Sequence, residues 1–238
     1  MIELGDGIEG LKALQKGTAD LILSDLPSGA TRHDFDNPPD LAKFWPAVWS
    51  ALKPSGVVCL FASNIGFASK VITSEQKYFR YDLIWHKSVA TGFLNARSRP
   101  LRAHEYILLF WRKNGAYNPQ MTTGATGIHE ARRKSHGANY DPQTQSTESR
   151  KGATDRHPVS VLEFGSMGTS SKGRTHPQQK PEGLLRYLIA SYSYPGDLVV
   201  DPYAGSGSSG AAADSEQRRF RGWDINPRFG LDGKRIAE

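Results

Sequence analysis

The chain predicts a doubly wound α/β fold built on a mostly parallel sheet, and three observations carry that expectation. Short β-branched runs alternate with helix-compatible stretches along most of the 238 residues. Two of these runs end in an acid followed by a tight turn, at Asp25 and at Asp201. The second turn carries glycines two apart, Gly205 and Gly207, and opens into a small-residue helical run. Sheets of this kind gather ligands at the carboxyl ends of their strands.

Taken in order, Gly10–Gln15 reads as a short helix and Ala19–Ser24 as a buried strand running into Asp25-Leu26-Pro27-Ser28-Gly29. Asp40–Leu52 reads as a helix, with Asp40 as its cap and Lys53-Pro54-Ser55-Gly56 as its stop. Val57–Ala62 is the next strand and Phe67–Ser74 the next helix. Arg80–Trp85 and Glu105–Trp111 are two strands around a loop holding Phe93 and Asn95. Pro181 opens a helix that runs to Ser193. Leu198–Val200, Ser208–Ala213 and Phe220–Asp224 complete the chain as strand, helix and strand.

The glycine turn Asp201-Pro202-Tyr203-Ala204-Gly205-Ser206-Gly207 is a cofactor loop by layout. Glycine lacks Cβ, so the backbone bends sharply and a ligand can lie against it. It is not a P-loop, because no Gly-Lys-Ser/Thr closes it. An acid at Asp201 would repel a pyrophosphate, but suits a cofactor with a cationic end such as S-adenosylmethionine. Asp224, at the tip of the following strand, is placed to hold ribose hydroxyls.

These motifs, in this order, resemble the β-arrangement amino-directed DNA methyltransferases, which act on adenine N6 or cytosine N4. Asp25-Leu26-Pro27-Ser28 stands where that family has its Asp-Pro-Pro-Tyr catalytic motif. His176-Pro177-Gln178-Gln179-Lys180-Pro181 resembles its His-Pro-x-Gln-Lys-Pro stretch, and Pro195 to Gly207 its cofactor motif. Gly222-Trp223-Asp224-Ile225-Asn226-Pro227 resembles its ribose-binding segment, and Asp6 its adenine-contacting acid. Ile84–Lys87 and Gly92 to Glu105 read like phage and prophage members.

The resemblance implies a Rossmann-like methyltransferase fold with permuted motif order. It implies S-adenosylmethionine as cofactor, held by Asp6, Gln179, Lys180, the residues from Asp201 to Gly207, Asp224, Ile225 and Asn226. It implies site-specific methylation of an adenine flipped out of double-stranded DNA, with Asp25, Leu26, Pro27 and Ser28 as the catalytic set. Cytosine N4 remains the alternative target. A homodimer and a cognate restriction endonuclease are compatible partners.

One departure stands out. The family has an aromatic at the fourth motif position, where its ring stacks on the extruded base, and here Ser28 stands there. Phe35, Trp45, Trp85 and Phe93 are the rings available to replace it. The alternative is a catalytically impaired DNA-binding protein on the same fold.

The chain divides by texture into a catalytic-motif half (1–111), an insertion (112–174) and a cofactor-binding half (175–238). Apolar periodicity vanishes in the insertion, which holds ten Lys/Arg against five Asp/Glu. Arg132-Arg133-Lys134 and Arg150-Lys151 are its dense points and the expected DNA contacts. The net charge of +6 suits a polyanion. Scattered histidines without cysteine partners argue against a metal site. The single cysteine, Cys59, lies in an apolar strand, which excludes a disulfide framework and points to a reducing cytoplasm. It also argues against cytosine-C5 chemistry, which needs a thiol nucleophile on a Pro-Cys loop.

Overall fold

In a computed structural model, the structure describes residues 1–29, 36–123, 155–165 and 179–226. The elements run β1 (Ile2–Leu4), α1 (Gly7–Ala13), β2 (Ala19–Asp25), α2 (Leu41–Ala51), β3 (Leu52–Ala62), α3 (Ile65–Ser74) and β4 (Phe79–Thr91). After a single 3-10 turn (Phe93–Asn95) come β5 (Arg102–Phe110), β6 (Thr122–Thr123), β7 (Asp155–Arg156) and β8 (Val161–Phe164). The chain continues with α4 (Glu182–Tyr192), β9 (Leu198–Asp201), α5 (Ser208–Ser215) and β10 (Arg219–Asp224).

Local chemistry starts the helices. Asp6 caps α1, accepting from the amides of Ile8 and Glu9 at 2.9 Å each. Asp40 caps α2 and Asn64 caps α3 in the same way. Pro46 lies inside α2, where proline costs about 3 kcal/mol in a free helix. Burial of Phe44, Trp45, Ala47, Val48 and Ala51 on that helix outweighs the cost.

Eight strands form one sheet in the order β1-β10-β9-β2-β3-β5-β4-β8. From β1 to β3 every pairing is parallel; β5 then runs antiparallel between β3 and β4, and β8 lies parallel to β4. Strands covered on both faces need apolar residues at every position, and β3 shows why. Val58, Leu60 and Ala62 pack with α1, α2 and α3, while Val57, Cys59 and Phe61 pack with α4 and α5. The expected double winding is therefore present, with one antiparallel strand inserted.

The chain separates into two compact units, Met1–Asn118 with Val159–Glu238, and Pro119–Pro158. The second is narrower than the 112–174 insertion read from texture. The difference arises at β8, whose register runs from Ile84↔Val161 to Lys87↔Phe164, so this stretch belongs to the main sheet. Only Leu162 of its four residues, Val-Leu-Glu-Phe, is buried, and so short a run does not read as a strand by its pattern. Within the small unit, Thr122 and Thr123 pair with Arg156 and Asp155. Arg132, Arg133, Lys134, Arg150 and Lys151 lie outside the described residues.

Among the described residues no helix is long and apolar enough to cross a membrane, and no cluster of acids, histidines and cysteine forms a metal site. Cys59 is fully buried, and burial pushes its thiol well above the ordinary range. A thiol reagent is expected to leave the folded protein untouched and to titrate one equivalent after unfolding; reaction at the native rate of a free thiol would contradict this packing.

Candidate active site

The carboxyl edge of the parallel strands collects the motif residues. β2 ends in Asp25 and β9 in Asp201, and the two strands are neighbours through Leu21↔Val199 and Ile22↔Val200. Residues 177 positions apart thus meet: Ser24 Oγ donates to Asp201 Oδ1 at 2.7 Å. Asp201 Oδ1 also accepts from the Tyr203 amide at 3.0 Å, and its Oδ2 from Ser209 Oγ at 2.6 Å. Its carboxylate is buried and occupied with the protein itself. The sequence placed Asp201 against the cofactor; the geometry makes it the brace that fixes the glycine turn to β2 and α5.

The turn has the backbone its glycines permit. Gly205 has φ +48° and Gly207 φ +75°, conformations that other residues rarely adopt. A Cβ built on Gly205 meets nothing within 4 Å, so the loop faces open space there. The Gly205 amide donates to Asp224 Oδ2 at 2.9 Å, and Asp224 Oδ1 accepts from the Asn226 amide at 2.7 Å. Ala204 is buried and its amide donates to the Trp223 carbonyl at 2.8 Å. Tyr203 is half-buried against the α1–α3 side of the core, and the charge of Asp6 reaches its hydroxyl. Gly7 lets α1 approach this loop, because a Cβ on it would collide with the Pro202 carbonyl. Asp6 itself is exposed, and Ser206 is half-buried. Ile225 is exposed, while Asn226 is half-buried.

At the other motif, Leu26 is sealed in the core, so the backbone that carries its carbonyl is held by packing. Pro27 and Ser28 are half-buried. Asp36 Oδ1 accepts from the amides of Ser28 (2.7 Å) and Gly29 (3.0 Å), clamping the turn. The Ser28 hydroxyl lies 3.2 Å from Ser63 Oγ, just past the end of β3. Of the rings proposed to replace the missing aromatic, Trp45 and Trp85 are buried in the two cores. Their indole N–H groups are bound to Ser74 Oγ and to the Phe164 carbonyl. Phe93 is 79% exposed on the loop between β4 and β5. Phe35 lies outside the described residues.

Lys180 and Gln179 were expected to hold cofactor. The structure puts Lys180 on Asp25: its Nζ lies 2.5 Å from Asp25 Oδ2 and 3.3 Å from Glu105 Oε2. Lys87 Nζ lies 3.2 Å from the other oxygen of Glu105. The side chain of Lys180 is 12% exposed and that of Asp25 35%. Burial pushes the Asp25 carboxyl above the usual carboxylate range, and Lys180 draws it back part of the way. Burial opposes the Lys180 charge, but Asp25 and Glu105 together hold its ammonium above the ordinary lysine value. Burial likewise acts against an ionised Glu105, and the two lysines overcome it and hold that carboxyl low. Gln179 is half-buried beside Lys180.

Sequence reading gave Glu105, Lys87 and Asp36 no role. A signal existed for the first two. Alternation puts Lys87 in the row of Leu83 and Trp85 on β4, and Glu105 in the row of Ile107 and Leu109 on β5. A charge in an apolar row is the informative exception. No comparable pattern marks Asp36.

The sequence model of the DNA methylase family that acts at N6 and N4 matches residues 19–231. The chain belongs to this family. It is 26% identical over 240 aligned residues to the type II methyltransferase M.HpaI of Haemophilus parainfluenzae, covering 94% of this chain and 69% of that protein. Over a shorter stretch of 54 residues, 23% of this chain and 18% of the relative, it is 50% identical to the DNA adenine methyltransferase YhdJ of Escherichia coli K12. It spans 55% of the length of M.Cfr9I of Citrobacter freundii, at 24% identity over 82% of this chain. Among solved structures, the M1.HpyAVI–SAM complex superposes with TM-score 0.61 at 17% identity, covering 95% of this chain and 92% of that one. The cytosine-N4-specific PvuII DNA methyltransferase superposes with TM-score 0.64 at 17% identity, covering 95% and 82%. These superpositions establish the shared fold.

Asp201 gives this site a pH signature. Burial, against three hydrogen bonds, pushes its carboxyl from 3.8 up to about 6. Between about pH 4 and 6 the folded chain retains a proton that the unfolded chain has released, so stability falls as pH rises through that window. Urea midpoints measured from pH 4 to 7 should show this fall in the wild type and lack it in Asp201→Asn. Parallel pH dependences for the two proteins would contradict the upward shift that burial imposes on this carboxyl.

Proposed function

We propose that this chain transfers a methyl group from S-adenosylmethionine to the N6 amine of an adenine turned out of double-stranded DNA. The observation that carries the reading is the meeting of Asp25 and the Gly205–Gly207 turn at one sheet edge, braced together through Ser24 and Asp201. Membership of the N6/N4 DNA methylase family supports it. The cofactor fits the residues present: open space over Gly205, with the carboxylates of Asp6 and Asp224 on its rim for hydroxyl and amino donors. When bound, the cofactor supplies a methyl group on a sulfonium, which leaves as a neutral thioether.

The chain's own part is positioning. An exocyclic amine is a weak nucleophile because its lone pair is delocalised into the ring. Asp25 accepts one amine N–H and the Leu26 carbonyl the other, which turns the lone pair out of the base plane. Buried Leu26 and the Asp36 clamp keep those acceptors fixed. As the N–C bond forms, the nitrogen becomes cationic and the Asp25 carboxylate takes its surplus proton. Fixed acceptors aimed at developing charge are an effective form of catalysis. A base inside a duplex cannot reach such a site, so it must be flipped.

Adenine is favoured by Asp at the head of the motif and by the local 50% identity to a protein named as an adenine methyltransferase. Ser28 favours the second reading, a DNA-binding protein with impaired turnover: its hydroxyl is turned to Ser63.

Labelled methyl transfer to duplex DNA followed by nucleoside analysis tests both. The expected product is N6-methyladenine. N4-methylcytosine would move the target to cytosine, and no transfer to any duplex would leave the binding reading. Asp25→Ala should slow transfer about 10²–10³-fold while calorimetric affinity for S-adenosylmethionine persists; unchanged transfer would remove Asp25 from the mechanism.

We assign the phosphate contacts to 112–174. Neutralising Arg132, Arg133 and Lys134 together should weaken DNA binding and flatten its salt dependence, the slope falling by about 0.9 per lost contact. An unaltered slope would place the contacts elsewhere.

A further inference from the structure

We propose that Lys180 is a positioning residue for the catalytic carboxylate rather than a cofactor ligand, and that Glu105, itself anchored by Lys87, holds it there. This rests on the reading of Asp25 as the acceptor of the target amine. Four charges of alternating sign form a line across the sheet edge. They run from Lys87 on β4 to Glu105 on β5, then to Lys180 at the start of α4, and finally to Asp25 on β2.

Three observations point to positioning. First, Lys180 binds one oxygen of Asp25, Oδ2, so the carboxylate is held in one rotation with Oδ1 left for a substrate N–H. Second, the lysine is itself confined. Its ammonium sits over the Phe61 ring at 5.1 Å from the ring centre, between two carboxylates. Glu105 Oε1 is occupied by Lys87, and the buried Oε2 lies 3.3 Å from Lys180 Nζ, the longer of that ammonium's two carboxylate contacts. Glu105 thus attracts the ammonium without capturing it, and the shorter contact goes to Asp25. Third, the row alternation places Asp25 after Leu21 and Leu23, and Glu105 before Ile107 and Leu109, all on the face that α4 covers. Lys180 lies two residues before α4. The fold delivers the lysine to the carboxylates as directly as it delivers α4 to the sheet.

The charged and titratable groups facing Asp25 are Lys180 from the α4 side, Glu105 from β5, Asp36 after the motif turn, and Asp201 from β9. Among the described residues Lys180 is the only cation of this set, so it favours an ionised Asp25 in a partly buried place. An acceptor must be ionised to receive the amine hydrogen and the surplus proton. Removing the lysine therefore raises the pH at which Asp25 ionises. Removing the negative charge of Glu105 lowers it.

The test combines two opposite substitutions with one conservative one. In single-turnover methylation of duplex DNA, Lys180→Met should lower the rate at pH 7.5 at least tenfold and move the acid limb of the pH–rate profile to higher pH. Glu105→Gln should move that limb to lower pH, and Lys180→Arg should keep it near the wild-type position. Calorimetric affinity for S-adenosylmethionine should stay within twofold in all three. A loss of cofactor affinity in Lys180→Met with the limb unmoved would return Lys180 to the cofactor site and overturn the proposal. So would limbs that move in the same direction in Lys180→Met and Glu105→Gln. Carbon-13 NMR of the aspartate carboxyls, with Asp25 assigned through Asp25→Asn, reads the same ionisation without turnover. If wild-type protein methylates no DNA yet Lys180→Met raises the Asp25 titration, the reaction assigned above fails and the pairing stands. If the Asp25 titration does not move, the pairing fails whatever the activity.

Discussion

The carboxylate of Asp201 is the interaction on which the site depends. It is buried, and it gathers the hydroxyl of Ser24, the amide of Tyr203 and the hydroxyl of Ser209. Those groups belong to β2, to the glycine turn and to α5. One side chain thereby fixes the distance between the motif that follows β2 and the loop that follows β9. A buried carboxylate is costly unless its lone pairs are engaged. Here three donors meet it, and two of them are serine hydroxyls that would themselves be unsatisfied without it. Asp224 plays the matching part on the far side of the turn, accepting from the Gly205 and Asn226 amides. The left-handed glycines then need no further support.

The second constraint is electrostatic. The α4 side of the sheet is an apolar face, yet its rows end in Asp25, Glu105 and Lys87. Charges in such a place are tolerated when they alternate in sign and lie within hydrogen-bond or ion-pair reach. Lys180 completes the alternation, arriving from a part of the chain 155 residues away from Asp25. The arrangement balances two ammoniums against two carboxylates, and Asp25 is the exposed end of the line. Asp25 is a third exposed, whereas Glu105, Lys87 and Lys180 are nearly enclosed.

Ser28 reads differently in this setting. Its amide is held by Asp36 and its hydroxyl pairs with Ser63, so the residue is integrated into the turn. A larger ring at this position would have to displace the Ser63 contact. The exposed ring nearest in sequence to the β4–β5 edge is Phe93, carried on the hairpin whose base supplies Lys87 and Glu105.

The sequence by itself determined the architecture and the two motif turns. Apolar runs buried on both faces make parallel strands legible, and glycines at Gly205 and Gly207 announce a backbone that only glycine adopts readily. Boundaries at Asp40, Pro181 and Ala62 were legible for the same reason, since caps and stops act within a few residues. Three things were decided by tertiary structure alone. The four-residue strand Val161–Phe164 joins the main sheet because β4 offers it a hydrogen-bonding edge, which no local pattern reveals. Asp201 turns inward to brace the fold, although its place in the motif resembled that of a ligand. Lys180 lies on Asp25 and Glu105, because the helix it precedes packs on the face where both carboxylates end. Local propensity acts over a turn or two of chain; which charge meets which across 155 residues is set by the packing of layers.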